Sequence, residues 1–353
     1  MPTKLLPTEP IGSIPRPESL QKLYTSNADK NLLKQESDTA TIETIRKFEE
    51  TGSPIITDGE QTKSSFFSYV FEGLTNLGPG PLAIGFVDGH QRQLPLLLSG
   101  PFRYGQYADK FVTQAKKLTD RPIKVSVMSV NAITLIYPAE GIAGYSRDEF
   151  IKDLVSEAAK EITLCFKAGA ETVQIDWTEG RLSFKLDPSG GFLNEGIKLI
   201  NEVIAQVPKE YHSRIGLHTC PGGDHDSTHS ADVPYENLLS RIFEVNAGRF
   251  YLQLASEANF EAGLKEIGKN LRKGQVAYIG VIDPLIDQVE TAEQVRDRIL
   301  LAAKYIPLDQ LGSTDDCGFS PFTDDLSTSR DTAFNKIKAR IAGNALASEI
   351  LLK

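Results

Sequence analysis

Along most of the chain, short runs rich in Val, Ile, Leu and Phe alternate with longer stretches whose apolar residues recur every three or four positions. A short apolar run bounded by turn residues reads as a strand, and the longer recurrence reads as an amphipathic helix. The first run ends at Ile11-Gly12-Ser13, and a helical stretch over 35–51 leads to Ser53-Pro54-Ile55-Ile56-Thr57-Asp58-Gly59-Glu60. An irregular segment rich in Phe, Gly and Pro follows, with a hairpin expected around 94–99; this long excursion reads as a cover over something. From there the alternation is regular. A helix over 106–119 feeds 123–129, one over 147–168 feeds 172–176, and one over 193–207 feeds 214–219. Helices over 234–246, 259–271 and 290–305 feed 249–254, 276–282 and 311–316, and a helix over 328–350 closes the chain. Ser146, with Glu149 three residues on, writes a capping box for the 147–168 helix.

With the hairpin set aside, these are eight strand–helix units. Eight such units with right-handed crossovers predict an α/β fold of the (β/α)8 TIM barrel kind, a single domain over 1–353 with a long excursion and hairpin between strands 2 and 3. Ser13, Glu60, Asp176, His218, Cys220, Gln253, Asp283 and Cys317 all fall at or just after the C-terminal ends of the expected strands. In a barrel those ends form one face, the face that carries active sites. A doubly wound sheet would also put polar groups at its strand ends. The chain has neither a Gly-x-Gly-x-x-Gly after a strand nor a P-loop, so the barrel is preferred.

Composition narrows the partners. A net charge of −9 with no basic cluster speaks against nucleic acid. No apolar stretch approaches the ~20 residues of a membrane span, and the N-terminus lacks an apolar signal core. Three cysteines, an odd number, suit a reducing compartment better than a disulfide framework. A cytoplasmic protein is expected. The oligomeric state is not written in the sequence.

Two short stretches carry the chemistry. One is Gly216-Leu217-His218-Thr219-Cys220-Pro221-Gly222-Gly223, and the other is Thr314-Asp315-Asp316-Cys317-Gly318-Phe319. Residues two apart on an extended backbone leave the same face, so His218 and Cys220 point together. One imidazole and two thiolates are three zinc ligands, and three protein ligands with one open position is the usual form of catalytic zinc. The alternative is a buried cysteine beside a satisfied core histidine. After the first pair, the loop 222–232 adds His225 and His229, which supply either a general acid or base, a second metal site, or only a polar surface loop. Trp177, the only tryptophan, either stacks on a flat substrate ring or packs in the core. Cys165 falls on the apolar side of its helix and reads as core.

The order Ile11-Gly12-Ser13, Asp58-Gly59-Glu60, Gln174-Ile175-Asp176, His218-Thr219-Cys220 and Asp315-Asp316-Cys317-Gly318 resembles the cobalamin-independent methionine synthases, above all their short single-barrel relatives. The resemblance runs from about residue 8 to the end. It implies Zn2+ held by His218, Cys220 and Cys317, with the homocysteine sulfur bound as a thiolate that takes the methyl group of a methylfolate. It also implies that Ser13, Glu60 and Asp176 hold the amino-acid end of the thiol, the two carboxylates facing its ammonium.

Three departures stand out. Gln253 takes the place of a glutamate ligand at the sixth strand, leaving Gln253 as a weak ligand or none and Glu257 as the alternate. In Val281-Ile282-Asp283-Pro284-Leu285, Leu285 replaces a histidine that serves proton transfer in the long enzymes; Asp283 of the same stretch is a catalytic candidate with His225 and His229. The N-terminal domain of the long enzymes, with part of their folate surface, is absent. The expected partners are therefore a small-molecule thiol and a methyl donor. The alternatives are an alkyl transferase or lyase acting on another thiol, like the coenzyme M transferases, and a non-catalytic zinc-binding barrel.

Overall fold

The structure, a computed structural model, describes residues 5–24, 26, 28–89, 91–222 and 227–353. Its centre is a parallel sheet of six strands in sequential order: β3 (Lys124–Met128), β4 (Thr172–Asp176), β5 (Ile215–Thr219), β6 (Arg249–Leu252), β7 (Val276–Ile282) and β8 (Leu311–Asp315). Helices return the chain between them, as parallel pairing requires. After β3 come α4 (Val130–Ile133) and α5 (Arg147–Lys167), and after β4 come α6 (Glu179–Leu186) and α7 (Gly191–Gln206). Then α8 (Tyr235–Leu239), α9 (Phe260–Asn270), α10 (Ala292–Ala302) and α11 (Arg330–Leu351) follow one strand each. Before the sheet lie α1 (Glu18–Tyr24), α2 (Lys30–Glu50) and α3 (Asp109–Ala115).

Both edges of the sheet are met by extended backbone. Thr8 bridges Ser313 of β8 and Ile56 bridges Ile123 ahead of β3, each in parallel. The two segments join where the Ile14 amide donates to the Gly59 carbonyl at 3.1 Å. Among the described residues the regular parallel sheet stops at six strands, two fewer than the alternation predicts. The first and second segments run as isolated bridges because Pro7, Pro10 and Pro54 withhold ladder donors.

The strands are buried along nearly their whole length, which is why they read as continuous apolar runs rather than alternating ones. One cluster of buried apolar side chains extends from Leu6 to Ala347. Helix starts follow local chemistry. The Ser146 hydroxyl accepts from the Glu149 amide while the Glu149 carboxylate accepts from the Ser146 amide, and Thr291 with Gln294 does the same for α10.

The excursion differs from its expected form. The hairpin is β1 (Leu77–Gly85) with β2 (Gln91–Leu97), so 94–97 is its returning arm and not its turn. Pro79, Gly80 and Pro81 mask the first arm in sequence, and a turn spans Phe86–Gly89, where the Gly89 amide donates to the Phe86 carbonyl at 3.0 Å. Helix α6 also falls where only a connector is expected. Gly180 allows it, because a Cβ there would sit 3.1 Å from the Trp177 indole. No helix among the described residues is long and apolar enough to cross a membrane.

Candidate metal centre and its cavity

Strand register sets the site. β4 and β5 pair with Asp176 opposite His218, so both residues close their strands at the same level. Cys220 lies two residues beyond His218, and Cys317 follows the end of β8. His218, Cys220 and Cys317 are buried, and their nitrogen and sulfur atoms lie within 4.8 Å of one another. The two sulfurs are 3.2 Å apart, well beyond the roughly 2 Å of a disulfide bond.

The histidine is oriented from behind. Its Nδ1 lies 3.2 Å from the Tyr251 carbonyl, which fixes the ring and turns Nε2 toward the sulfurs. Nε2 is buried with no other hydrogen-bond partner among the described residues. Burial opposes charge on this imidazole most strongly, yet the Cys220 sulfur, Asp176 and the Tyr251 carbonyl together outweigh it, and the net direction of its pKa is upward. A buried imidazole nitrogen aimed at two sulfurs is a donor set that suits a thiophilic divalent cation. Two thiolates and a neutral imidazole would balance such an ion's charge. The residues fit zinc.

Small residues let the loops converge. A Cβ at Gly318 would meet the Ser13 Oγ at 2.2 Å, so the first segment packs directly on the backbone after Cys317. The Ser320 amide donates to that Oγ at 3.2 Å. Asp316 accepts from the Leu254, Ala255 and Ser256 amides at 2.7–2.9 Å, tying the loop after β6 to the cysteine's own turn.

These groups open into a cavity of about 1140 Å3, lined also by Ser13, Glu60, Asp176, Trp177 and His229. Glu60 stands at φ 59, the one non-glycine in the left-handed region among the described residues. Its carboxylate receives the Lys63 ammonium at 2.9 Å, and Lys63 also donates to the Ser126 carbonyl at 3.0 Å. Asp176 accepts from the Gln174 amide at 2.6 Å. Burial, with the Glu60 charge adding to it, raises Asp176 to about 6 against the pull of His218. His229 is lowered to about 4 by burial; its Nδ1 lies 2.9 Å from the Ser230 hydroxyl. A neutral imidazole is its resting form at pH 7.

Residues 6–330 match the model of the family described as "Cobalamin-independent synthase, Catalytic domain". The chain belongs to this family. It is 27% identical to a methionine synthase of Saccharolobus solfataricus over 361 residues, covering 98% of this chain and 96% of that protein. It is 24% identical to a methionine synthase of Pyrococcus furiosus, covering 89% and 86%. A B12-independent methionine synthase from Shewanella, solved with selenomethionine, shares the fold with a TM-score of 0.79 at 21% identity over 99% of both chains.

Within this member of the cobalamin-independent synthases, the other expected site residues are placed differently. Gln253 and Glu257 do not line the cavity. The Gln253 oxygen accepts from Arg181 at 3.3 Å and its nitrogen donates to Ser256 at 2.6 Å, while Glu257 forms an ion pair with Arg181. Arg181 is itself buried and rests against the Tyr235 ring, 4.9 Å from its centroid. Asp283 lies away from the cavity, with its carboxylate turned back onto the Leu285 amide at 2.8 Å. His225 lies outside the described residues. Sequence reasoning overlooked Lys63 and Arg181, the two buried cations that face the candidate carboxylates. Lys63 was visible as the residue three after Glu60; Arg181 was hidden by the unexpected helix α6.

Proposed function

We propose that this chain is a zinc-dependent S-methyltransferase that methylates the thiol of homocysteine to give methionine, with a methylfolate as donor. We read its first two segments as completing an eight-membered barrel, one domain over the whole chain. The observation that carries the reading is the convergence of His218, Cys220 and Cys317 at a cavity shared with Glu60 and Asp176.

Zinc held by those three residues would supply a thiophilic Lewis acid that keeps a substrate thiol deprotonated at neutral pH. The chain's own groups hold the rest of the substrate. Asp176 titrates near 6 and is ionised at neutral pH, ready to face an ammonium group. Glu60 shares its charge with Lys63, which makes Asp176 the stronger of the two anions toward a ligand. The Ser13 hydroxyl accepts from Ser320 and keeps its proton to donate to a carboxylate. In the overall reaction a sulfur–carbon bond forms, the bond from methyl to the donor breaks with its electron pair going to the donor, and the thiol proton is released.

Calorimetric titration of the zinc-loaded protein with L-homocysteine tests this reading, followed by detection of methionine with methyltetrahydrofolate present. Binding with one site per zinc is expected. Binding of a simple thiol but not of L-homocysteine would overturn the amino-acid part of the reading.

A further inference from the structure

Methyl transfer from a nitrogen leaves that nitrogen holding the electron pair of the broken bond. An amide anion is a poor leaving group, so the reaction calls for a proton delivered at the same atom. Most ionisable groups that line the cavity have none to give at neutral pH. Asp176 titrates near 6 and is ionised, and Glu60 is paired with Lys63. His229 is lowered to about 4 and rests neutral, while His218 turns its free nitrogen toward the sulfurs. Asp283 lies away from the cavity, and Glu195 on α7 and Arg147 on α5 are exposed.

Glu179 is the exception. It opens α6 three residues after Asp176, and its half-buried carboxyl lines the cavity together with Met128, Ala132, Leu182 and Leu199. Its Oε1 accepts from the Ala132 amide at 3.0 Å, and the Ser129 hydroxyl hydrogen-bonds the same carboxyl. Both donors come from the turn after β3 and fix the group in the wall. The cations of its own helix are occupied elsewhere, Arg181 by Glu257 and Gln253, and Lys185 by Asp232 at 2.9 Å. Burial raises the Glu179 carboxyl to about 7, and the Asp176 charge adds to that rise against the pull of the two donors. Acid and anion therefore coexist near neutral pH, the condition that suits a proton donor.

We propose that Glu179 is the proton donor of the reaction, giving its proton to the atom that the methyl group leaves. The inference rests on the methyl-transfer reading. The sulfur–carbon bond forms as the methyl–nitrogen bond breaks, and the nitrogen takes up the Glu179 proton with its new electron pair. The proton that the thiol loses on binding goes to solvent. Glu179 is reprotonated from solvent, so the chain is unchanged after each turnover.

The test uses the zinc-loaded full chain and two methyl donors, methyltetrahydrofolate and iodomethane. Methionine formed from L-homocysteine is measured above the protein-free rate. Iodide leaves without a proton, so only the first donor needs the acid. Glu179→Gln should lower the methyltetrahydrofolate rate by about 100-fold or more and leave the iodomethane rate within about threefold. Zinc content and the L-homocysteine Kd should match those of the parent, which damage to the fold would not allow. In the parent, the methyltetrahydrofolate rate should fall as pH rises through about 7, because the acid acts only while protonated. Glu179→Asp, which keeps an acid, should retain that fall at a lower rate, and Glu179→Gln should lose it. A Glu179→Gln chain as fast as the parent with methyltetrahydrofolate would overturn the proposal, as would equal losses with both donors. So would a parent that uses iodomethane but not methyltetrahydrofolate. A parent that makes methionine from neither sinks the methyl-transfer reading, and the donor role with it.

Discussion

The two ends of the same strands treat buried charge in opposite ways. At the N-terminal end, Glu9 receives Arg249 at 2.7 Å and the Tyr251 hydroxyl at 2.5 Å. Lys124 lies 3.8 Å from Glu9, donates to the Pro10 carbonyl at 2.7 Å and sits 3.2 Å over the Tyr251 ring. Each charge there has partners within the fold. At the C-terminal end, His218 Nε2, Thr219 Oγ1 and Gln174 Oε1 are buried with no hydrogen-bond partner among the described residues, and Glu60 is held at a positive φ. Buried polar groups are ordinarily satisfied, so unmet polar atoms and local strain gathered at one end mark the end that awaits a ligand. The satisfied end is scaffold.

Four experiments test this division between the two ends. The largest effect belongs to the ligands. Cys220→Ser and Cys317→Ser should each lose zinc by metal analysis, beyond the roughly 10–100-fold that loss of an outer-shell partner costs. Circular dichroism should still show the native fold. Zinc retained at one per chain in both variants would remove the centre from the C-terminal end.

Next is the scaffold. Glu9→Gln leaves Lys124 and Arg249 without their shared anion, and breaking a buried pair costs about 3–5 kcal/mol. Denaturant unfolding should show that loss while zinc content stays unchanged. An unaltered midpoint would mean that the N-terminal network does not support the fold.

Asp176→Asn should separate binding from stability. A hydrogen bond to a charged group is worth about 1.5–3 kcal/mol, so L-homocysteine should bind roughly 10–100-fold more weakly. Stability should move the other way. The folded carboxyl titrates near 6, above its ordinary 3.8, so the native state favours the protonated form. That contribution is complete below 3.8 and is lost as pH rises through 6. In zinc-stripped protein the asparagine variant should match the parent near pH 4. It should gain up to about 3 kcal/mol above pH 6. Equal pH dependence of the two proteins would show that Asp176 is not strained by burial.

The smallest effect is at the hairpin. Arg92 is partly exposed, and a surface pair with a stacked ring is worth about 1 kcal/mol or less. Arg92→Gln should shift the melting temperature by no more than a few degrees, with zinc still bound. A large loss of stability would make the hairpin part of the scaffold.

Much of this was legible in the residues themselves. The six strands of the sheet and their order follow from runs that are apolar on both faces, and the helix starts at 147 and 292 follow from capping boxes. The placement of His218, Cys220 and Cys317 at strand ends needed only period-two geometry and the alternation of elements. What the chain could not show locally is which charges neutralise which. Lys63 sits three residues from Glu60, but its meaning depends on the Ser126 carbonyl brought from the third strand segment. Arg181 reaches Gln253 and Glu257 across more than 70 positions, and only the packing of α6 beside the loop after β6 decides that it takes both. The hairpin's inner face, likewise, is no cavity wall until the fold sets it across the cavity from α6 and α7. Local patterns fix elements because their causes lie within a few residues of backbone. Pairing of buried charges and the walls of a cavity depend on contacts between distant segments, and those exist only once the fold has closed.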